Sequence, residues 1–98
     1  MSFYFFKDDI MQLKYQFVFQ QVGPKYMGVA VGESAKRFSG MLQLNEMGHD
    51  IVSKMTGETT RDEIVDQLLK EYDSDRATLE GYVDKVVAYL DSEGVLDR

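Results

Sequence analysis

The chain has 98 residues, enough for one domain with a modest hydrophobic core and too few for two. Its formal net charge is −6, from 17 acidic and 11 basic side chains, which argues against nucleic acid as a partner. The absence of cysteine excludes disulfides, thiolate nucleophiles and thiolate metal sites.

The chain opens with a short apolar segment, residues 3–6 (FYFF), followed by the charged residues 7–9 (KDD). This segment is too short for the hydrophobic region of a signal peptide or for a membrane span, so we expect a cytoplasmic protein without membrane association. We treat residues 1–12 as an N-terminal extension of unknown role. An extra strand, an arm exchanged in a homodimer and a segment that docks on a partner are the alternatives.

The next part of the chain has the pattern of a β-hairpin. In residues 15–22, aromatic and β-branched side chains alternate with glutamine, as in a strand with one buried face. Gly23-Pro24 supplies turn chemistry, and residues 26–31 continue the strand pattern. Residues 32–40 then form a polar connector. The aromatic residues predicted to share one face of the first strand are Tyr15, Phe17 and Phe19.

Residues 41–44 (MLQL) predict a short third strand just before the pattern changes to helical. Alternation puts Leu42 and Leu44 on one face, which we assign to the core. Met41 and Gln43 then point the other way. A sheet edge beside helices can capture an extended peptide, so this junction is the most informative part of the chain.

Three amphipathic helices are predicted after the third strand. Asn45 can cap the first helix, and Thr60 with Glu63 has the spacing of a capping box for the second. The third helix spans residues 76–93 and ends at Gly94, a residue type typical of helix C-termini. The apolar residues at helical spacing in these segments are Met47, Ile51, Val52 and Met55, then Ile64, Val65, Leu68, Leu69 and Tyr72, and finally Leu79, Val83, Val86, Val87 and Leu90.

The third helix has two further features. Gly81 costs roughly 1 kcal/mol relative to alanine inside a helix, and both a close approach of another element and a tolerated surface position would explain it. A second line of side chains runs beside the buried one, through Thr78, Tyr82, Lys85 and Tyr89. The two tyrosines either offer apolar rings with polar tips to a partner or only flank the core.

No motif in the sequence provides catalytic chemistry. The single histidine, His49, lies beside Asp50 but has no nucleophile or second base within a recognisable motif. The same pair is an incomplete set of metal ligands. Gly23, Gly28 and Gly32 lack the spacing of a phosphate-binding loop. We therefore expect no catalytic residue, no cofactor and no metal, and we expect that the protein is not an enzyme.

Four segments in this order resemble the PqqD family, small proteins first associated with pyrroloquinoline quinone biosynthesis. They are residues 38–48 (FSGMLQLNEMG), 57–65 (GETTRDEIV), 71–73 (EYD) and 93–96 (EGVL). The resemblance implies an α+β fold with an N-terminal three-stranded antiparallel sheet followed by a three-helix, winged-helix-like bundle. It covers nearly the whole chain after the extension, so we assign residues 13–98 to one PqqD-like peptide-recognition domain.

By this resemblance the protein is a recognition element of natural product biosynthesis, a peptide chaperone without catalytic activity. It binds the leader segment of a ribosomally synthesised precursor peptide by β-strand addition and presents it to a modifying enzyme of the radical S-adenosylmethionine (SAM) type. The guest strand pairs with the third strand and faces the last helix. The peptide-binding residues that the resemblance implies are Met41, Leu42, Gln43, Leu44, Tyr82, Lys85, Val86 and Tyr89.

The sequence departs from the family pattern in the first helix, where members commonly carry an apolar pair and this chain has His49 and Val52. A winged-helix DNA-binding regulator is the alternative function, because it shares the helical architecture. Such a regulator needs a basic recognition helix. The third helix instead carries the acidic residues Glu80, Asp84, Asp91 and Glu93 against the basic residues Arg76 and Lys85.

Overall fold

The computed structural model of the protein describes residues 10–98 and confirms the predicted α+β class, a three-stranded antiparallel sheet followed by three helices. The aromatic segment 3–6 lies outside the described residues. The strands are β1 (Gln12–Leu13), β2 (Phe17–Val22), β3 (Lys25–Ala30), β4 (Met41–Leu44) and β5 (Leu96–Asp97). The helices are α1 (Glu46–Ser53), α2 (Arg61–Glu71) and α3 (Arg76–Glu93). Among the helices of residues 10–98, none combines the length and hydrophobicity that a membrane crossing needs.

β3 lies at the centre of the main sheet, between β2 and β4. Val22 pairs with Lys25, so Gly23 and Pro24 form the whole of the predicted hairpin turn. Gly23 has a φ of 61°, in the left-handed region that a tight hairpin turn requires at its first position. The hairpin therefore depends on a glycine at this point of the chain.

The first strand of the sheet begins later than the sequence pattern suggested. The pattern extends to residue 15, but β2 starts at Phe17. The ladder stops there because the Gln16 N–H donates to Ser34 Oγ at 2.9 Å rather than to β3. Ser34 belongs to a short 3-10 helix, Gly32–Lys36, within the segment predicted as a connector.

The helix boundaries follow the local capping chemistry that the sequence predicted. The Asn45 side chain accepts a hydrogen bond from a first-turn N–H of α1 at 2.7 Å. Thr60 and Glu63 form the complete capping box of α2. Asp75 caps α3, and Gly94 ends it in the left-handed conformation with a φ of 73°. The three helix N-termini are therefore each capped by a side chain, and the C-terminus of α3 is set by the left-handed glycine.

One hydrophobic core lies between the inner face of the sheet and the three helices. β4 contributes Leu42 and Leu44 from the sheet, and the loop after α1 contributes Met55. Burial of this apolar surface is the main favourable term in folding, at roughly 25 cal/mol per Å². The core residues with no exposed surface are Leu42, Ile51, Val52, Met55, Val65, Leu68, Leu79, Val83, Leu90 and Val95.

A second, two-stranded sheet joins the two ends of the described chain. β1 pairs antiparallel with β5, with Leu13 opposite Leu96. Met11 is buried and exchanges backbone hydrogen bonds of 2.9 and 3.0 Å with Thr59. Strands of two residues show no recognisable alternation, so the sequence pattern indicated no more of this sheet than the extra strand that was one alternative for residues 1–12.

A polar cluster links α1 to the end of α2. Tyr72 Oη donates to Asp50 Oδ2 at 2.7 Å, and Lys54 Nζ donates to Asp50 Oδ1 at 3.0 Å and to Glu71 at 3.1 Å. The hydrogen bond to Asp50 raises the pKa of Tyr72 to about 12. Burial acts to raise the pKa of Asp50, but the hydrogen bonds from Tyr72 and Lys54 outweigh it and lower that pKa.

The lowered pKa of Asp50 predicts a loss of stability in acid. The unfolded chain, with the ordinary carboxyl pKa of 3.8, binds more protons here than the folded chain. The contribution of Asp50 is therefore present above pH 3.8 and is lost as the pH falls through the lower pKa of the folded state. We expect Asp50→Asn to flatten the fall in unfolding free energy between neutral pH and pH 3, measured by urea denaturation. Tyr72→Phe should flatten it partly, and an unchanged profile in Asp50→Asn would contradict this account.

The structure also settles the two explanations for Gly81. A Cβ added at this position would have no neighbouring atom within 4 Å in the described part of the chain, so the glycine lies at an open surface of α3. We expect Gly81→Ala to raise the unfolding free energy by about 1 kcal/mol, because alanine restricts the unfolded chain and favours the helix. Chemical denaturation measures this. Gly28→Ala is the opposite control, since its Cβ would overlap the Phe19 ring and should destabilise the protein.

Candidate functional site

β4 is an edge strand whose two faces differ sharply. It pairs with β3 on one side, and no strand among residues 10–98 pairs with its other side. Leu42 and Leu44 are 0% and 6% exposed, whereas Met41 is 53% exposed and Gln43 is also exposed. The predicted parity of this strand is therefore present in the structure, with its apolar pair in the core.

A hydrogen bond from Gln43 shows which main-chain groups face the free edge. The Gln43 N–H donates to the hydroxyl of Tyr89, on α3, at 2.9 Å. It therefore points away from β3. Because main-chain groups alternate in direction along an antiparallel strand, those of Met41 share this direction. Those of Leu42 and Leu44 point to β3. The free edge thus consists of Met41 and Gln43.

α3 forms a wall beside this edge. Tyr89 reaches the strand directly, and Lys85 and Tyr82 lie one and two turns earlier on the same side of the helix. Tyr82 is 42% exposed and Lys85 is exposed, so both are available to a partner. Val86 is only 9% exposed and belongs to the hydrophobic core. The accessible part of the predicted wall is therefore the line of Tyr82, Lys85 and Tyr89.

The charges of α3 are unevenly distributed. Arg61 of α2 holds Asp84 through two hydrogen bonds, of 2.7 and 2.9 Å, and this contact lowers the pKa of Asp84. Arg76 contacts carboxylates on both helices, Asp66 and Glu80. Both arginines are thus neutralised, which leaves α3 without the basic surface that a DNA recognition helix needs. Lys85 has no carboxylate within 4.0 Å among the described residues.

His49 packs in an aromatic cluster on the inner face of the sheet. Its ring stacks on Tyr26 at 4.1 Å with an interplanar angle of 5°, and meets Phe19 edge-on at 5.0 Å. Through these two contacts His49 takes part in the packing of α1 against the sheet. Sequence reasoning missed this cluster, although the pairing of Phe19 with Gly28 leaves space for the ring.

The opposite edge of the sheet borders a second concave surface. A cavity of about 550 Å³ lies between Phe17 and Phe19 of β2 and the region of Val52 at the end of α1. The Val31 N–H donates to the Gln16 carbonyl at 3.0 Å, which directs the even-numbered residues of β2 toward β3. The main-chain groups of Phe17 and Phe19 therefore face this second edge. Strand addition has two candidate edges, at β4 and at β2.

The sequence matches the family model described as coenzyme PQQ synthesis protein D (PqqD) over residues 29–96, well over half of the chain. A comparison with curated proteins gives no significant match.

Two solved structures share the fold. The PqqD truncation of Methylobacterium extorquens PqqCD, described as a functional, stand-alone recognition element for ribosomally synthesised and post-translationally modified peptides, has a TM-score of 0.68 at 22% identity, with 91% of this chain and 89% of that chain covered. TbiB1 in complex with the TbiA(beta) leader peptide has a TM-score of 0.62 at 19% identity, with 88% and 94% covered. Identities this low show the fold alone. Since the family model matches most of the sequence, the chain belongs to the PqqD family.

Proposed function

We propose that this protein is a non-catalytic accessory protein that binds the leader segment of a ribosomally synthesised precursor peptide by strand addition at β4. The observation that carries the proposal is the free main-chain edge of Met41 and Gln43 beside the exposed tyrosine line of α3. Membership of the PqqD family supports it. So does the fold shared with a recognition element and with a protein solved in complex with a leader peptide.

Strand addition at this edge separates affinity from selectivity. The N–H and C=O groups of Met41 and Gln43 offer main-chain hydrogen bonds that any extended peptide can use. Alternate guest side chains then face the helices, on the side of Leu42 and Leu44, where the wall of α3 begins. Lys85 lies on this wall without a carboxylate partner among the described residues, so an acidic guest side chain would find a complementary charge there.

The further parts of the proposal rest on the sequence resemblance. The bound leader is presented to a modifying enzyme, which the resemblance assigns to the radical SAM type, in the cytoplasm. The resemblance starts the recognition domain at residue 13 (residues 13–98), but Met11 is buried in the core and Gln12 pairs with Asp97, so we take the domain to begin at Met11. For the segment before Met11, a contact with a partner or with a second copy in a homodimer stays our proposal. If these assignments hold, the protein should increase modification of the precursor by the enzyme, and this increase should require the leader segment.

Titration of the isotope-labelled protein by NMR tests the binding site. The ligands are synthetic peptides that correspond to the N-terminal halves of short peptides whose genes adjoin the gene of this protein. We expect the largest amide shifts at Met41 and Gln43, with smaller shifts along Tyr82, Lys85 and Tyr89, because a guest strand changes the hydrogen bonding of the edge directly. If none of these peptides binds, the proposed function is wrong. If a peptide binds but the shifts lie only at β2, the β4 assignment is wrong.

A proline at the edge gives a sharper test. Met41→Pro removes an N–H that faces the free edge, so pairing with β3 survives while the guest loses a hydrogen bond and meets the proline ring. We expect leader binding to weaken by roughly ten-fold, measured by fluorescence anisotropy with labelled leader. Gln21→Pro is the matched control, because its N–H faces the β2 edge by the same alternation. If binding weakens in Gln21→Pro but not in Met41→Pro, the guest strand pairs with β2 rather than with β4.

A further inference from the structure

The hydrogen bond between Gln43 and Tyr89 occupies the edge where the proposed guest strand must bind. In an added strand, a guest carbonyl oxygen would lie about 2.9 Å from the Gln43 nitrogen, in line with its N–H. The Tyr89 hydroxyl oxygen already lies at 2.9 Å from this nitrogen. A single N–H cannot direct a strong hydrogen bond to both acceptors, so the hydroxyl and the guest carbonyl exclude each other.

We infer that Tyr89 is an intramolecular placeholder, whose hydroxyl satisfies the β4 edge in the free protein and is displaced by the carbonyl of the leader peptide. This inference rests on the proposed function and deepens it, since it assigns to Tyr89 the role of a competitor rather than a contact. Gln43 and Tyr89 are 46 residues apart in the chain, and the bond joins the edge of β4 to α3. This hydrogen bond must therefore open when the guest strand binds to β4.

The exposure of the β4 edge explains why an intramolecular hydrogen bond there would be useful in the free protein. A row of unpaired main-chain groups on an edge strand is a template for pairing with other chains. A tyrosine hydroxyl can satisfy one such N–H without adding a strand, and it can rotate into solvent on its own side chain. The guest strand can bind only when the Gln43–Tyr89 hydrogen bond is open. The affinity of the wild type for the leader is therefore reduced by the free energy needed to open this bond.

Amide hydrogen exchange in the free protein tests the placeholder without any ligand. Tyr89→Phe removes only the hydroxyl, and we expect exchange at Gln43 to quicken roughly two- to ten-fold. Leu42 and Leu44 should keep their exchange rates, since their N–H groups pair with β3. Tyr82→Phe removes a hydroxyl from the same side of α3 and should leave Gln43 unchanged. Unchanged exchange at Gln43 in Tyr89→Phe overturns the inference.

Leader affinity provides the second measurement, with the same synthetic N-terminal peptides as above. Tyr89→Phe should bind them roughly two- to ten-fold more tightly than the wild type, because no bond must open first. Tyr82→Phe should show no such gain. Equal or weaker binding in Tyr89→Phe overturns the inference and makes the hydroxyl an ordinary contact. If exchange at Gln43 quickens while the wild type binds none of the peptides, the proposed function fails and the hydrogen bond stands.

Discussion

The burial of alternate side chains along β4 ties the packing of the core to the proposed binding edge. Leu42 and Leu44 enter the core together, and this fixes both the face and the register of a four-residue strand. Because the side-chain period of a strand is two, a slip of one residue would bury Met41 and Gln43 and expose both leucines. The same alternation decides which main-chain groups face the free edge. Core packing and the proposed binding edge are thus two consequences of one choice of register.

The helices pack against the same core as β4, so their positions depend on the register of this strand. α1 begins directly after β4 because Asn45 caps it, so the core contacts of the strand and the helix are placed together. α3 packs against α1 and α2, and its residues Leu79 and Leu90 are buried in the same core. Its orientation against α2 is supported by the contact of Arg61 with Asp84. Tyr89 packs against this core and reaches the edge of β4 from α3, so its position there depends on how the core packs.

Local chemistry accounts for the features that the sequence predicted well. The capping box of Thr60 and Glu63 and the left-handed Gly94 each depend on residues within one helical turn. The two-residue turn at Gly23-Pro24 is equally local. The contact of His49 with Tyr26 was beyond this kind of reasoning, because it requires the sheet to lie on α1 in one particular register. The β1–β5 pairing, which joins the two ends of the described chain, was not predicted for a similar reason.

Some features of the candidate site also follow from local sequence patterns, and others depend on contacts between distant parts of the chain. Local sequence patterns predict that residues 41–44 form a strand with two core leucines, that a helix follows at once, and that two tyrosines lie in line along the last helix. Periodicity and capping carry this information, since they act between near neighbours in the chain. The three-dimensional packing was needed to show that the main-chain groups of Met41 and Gln43 form the free edge and that the Tyr89 hydroxyl accepts a hydrogen bond from the Gln43 N–H. The physical reason is that a hydrogen bond across 46 residues depends on how the core packs, which no local pattern records.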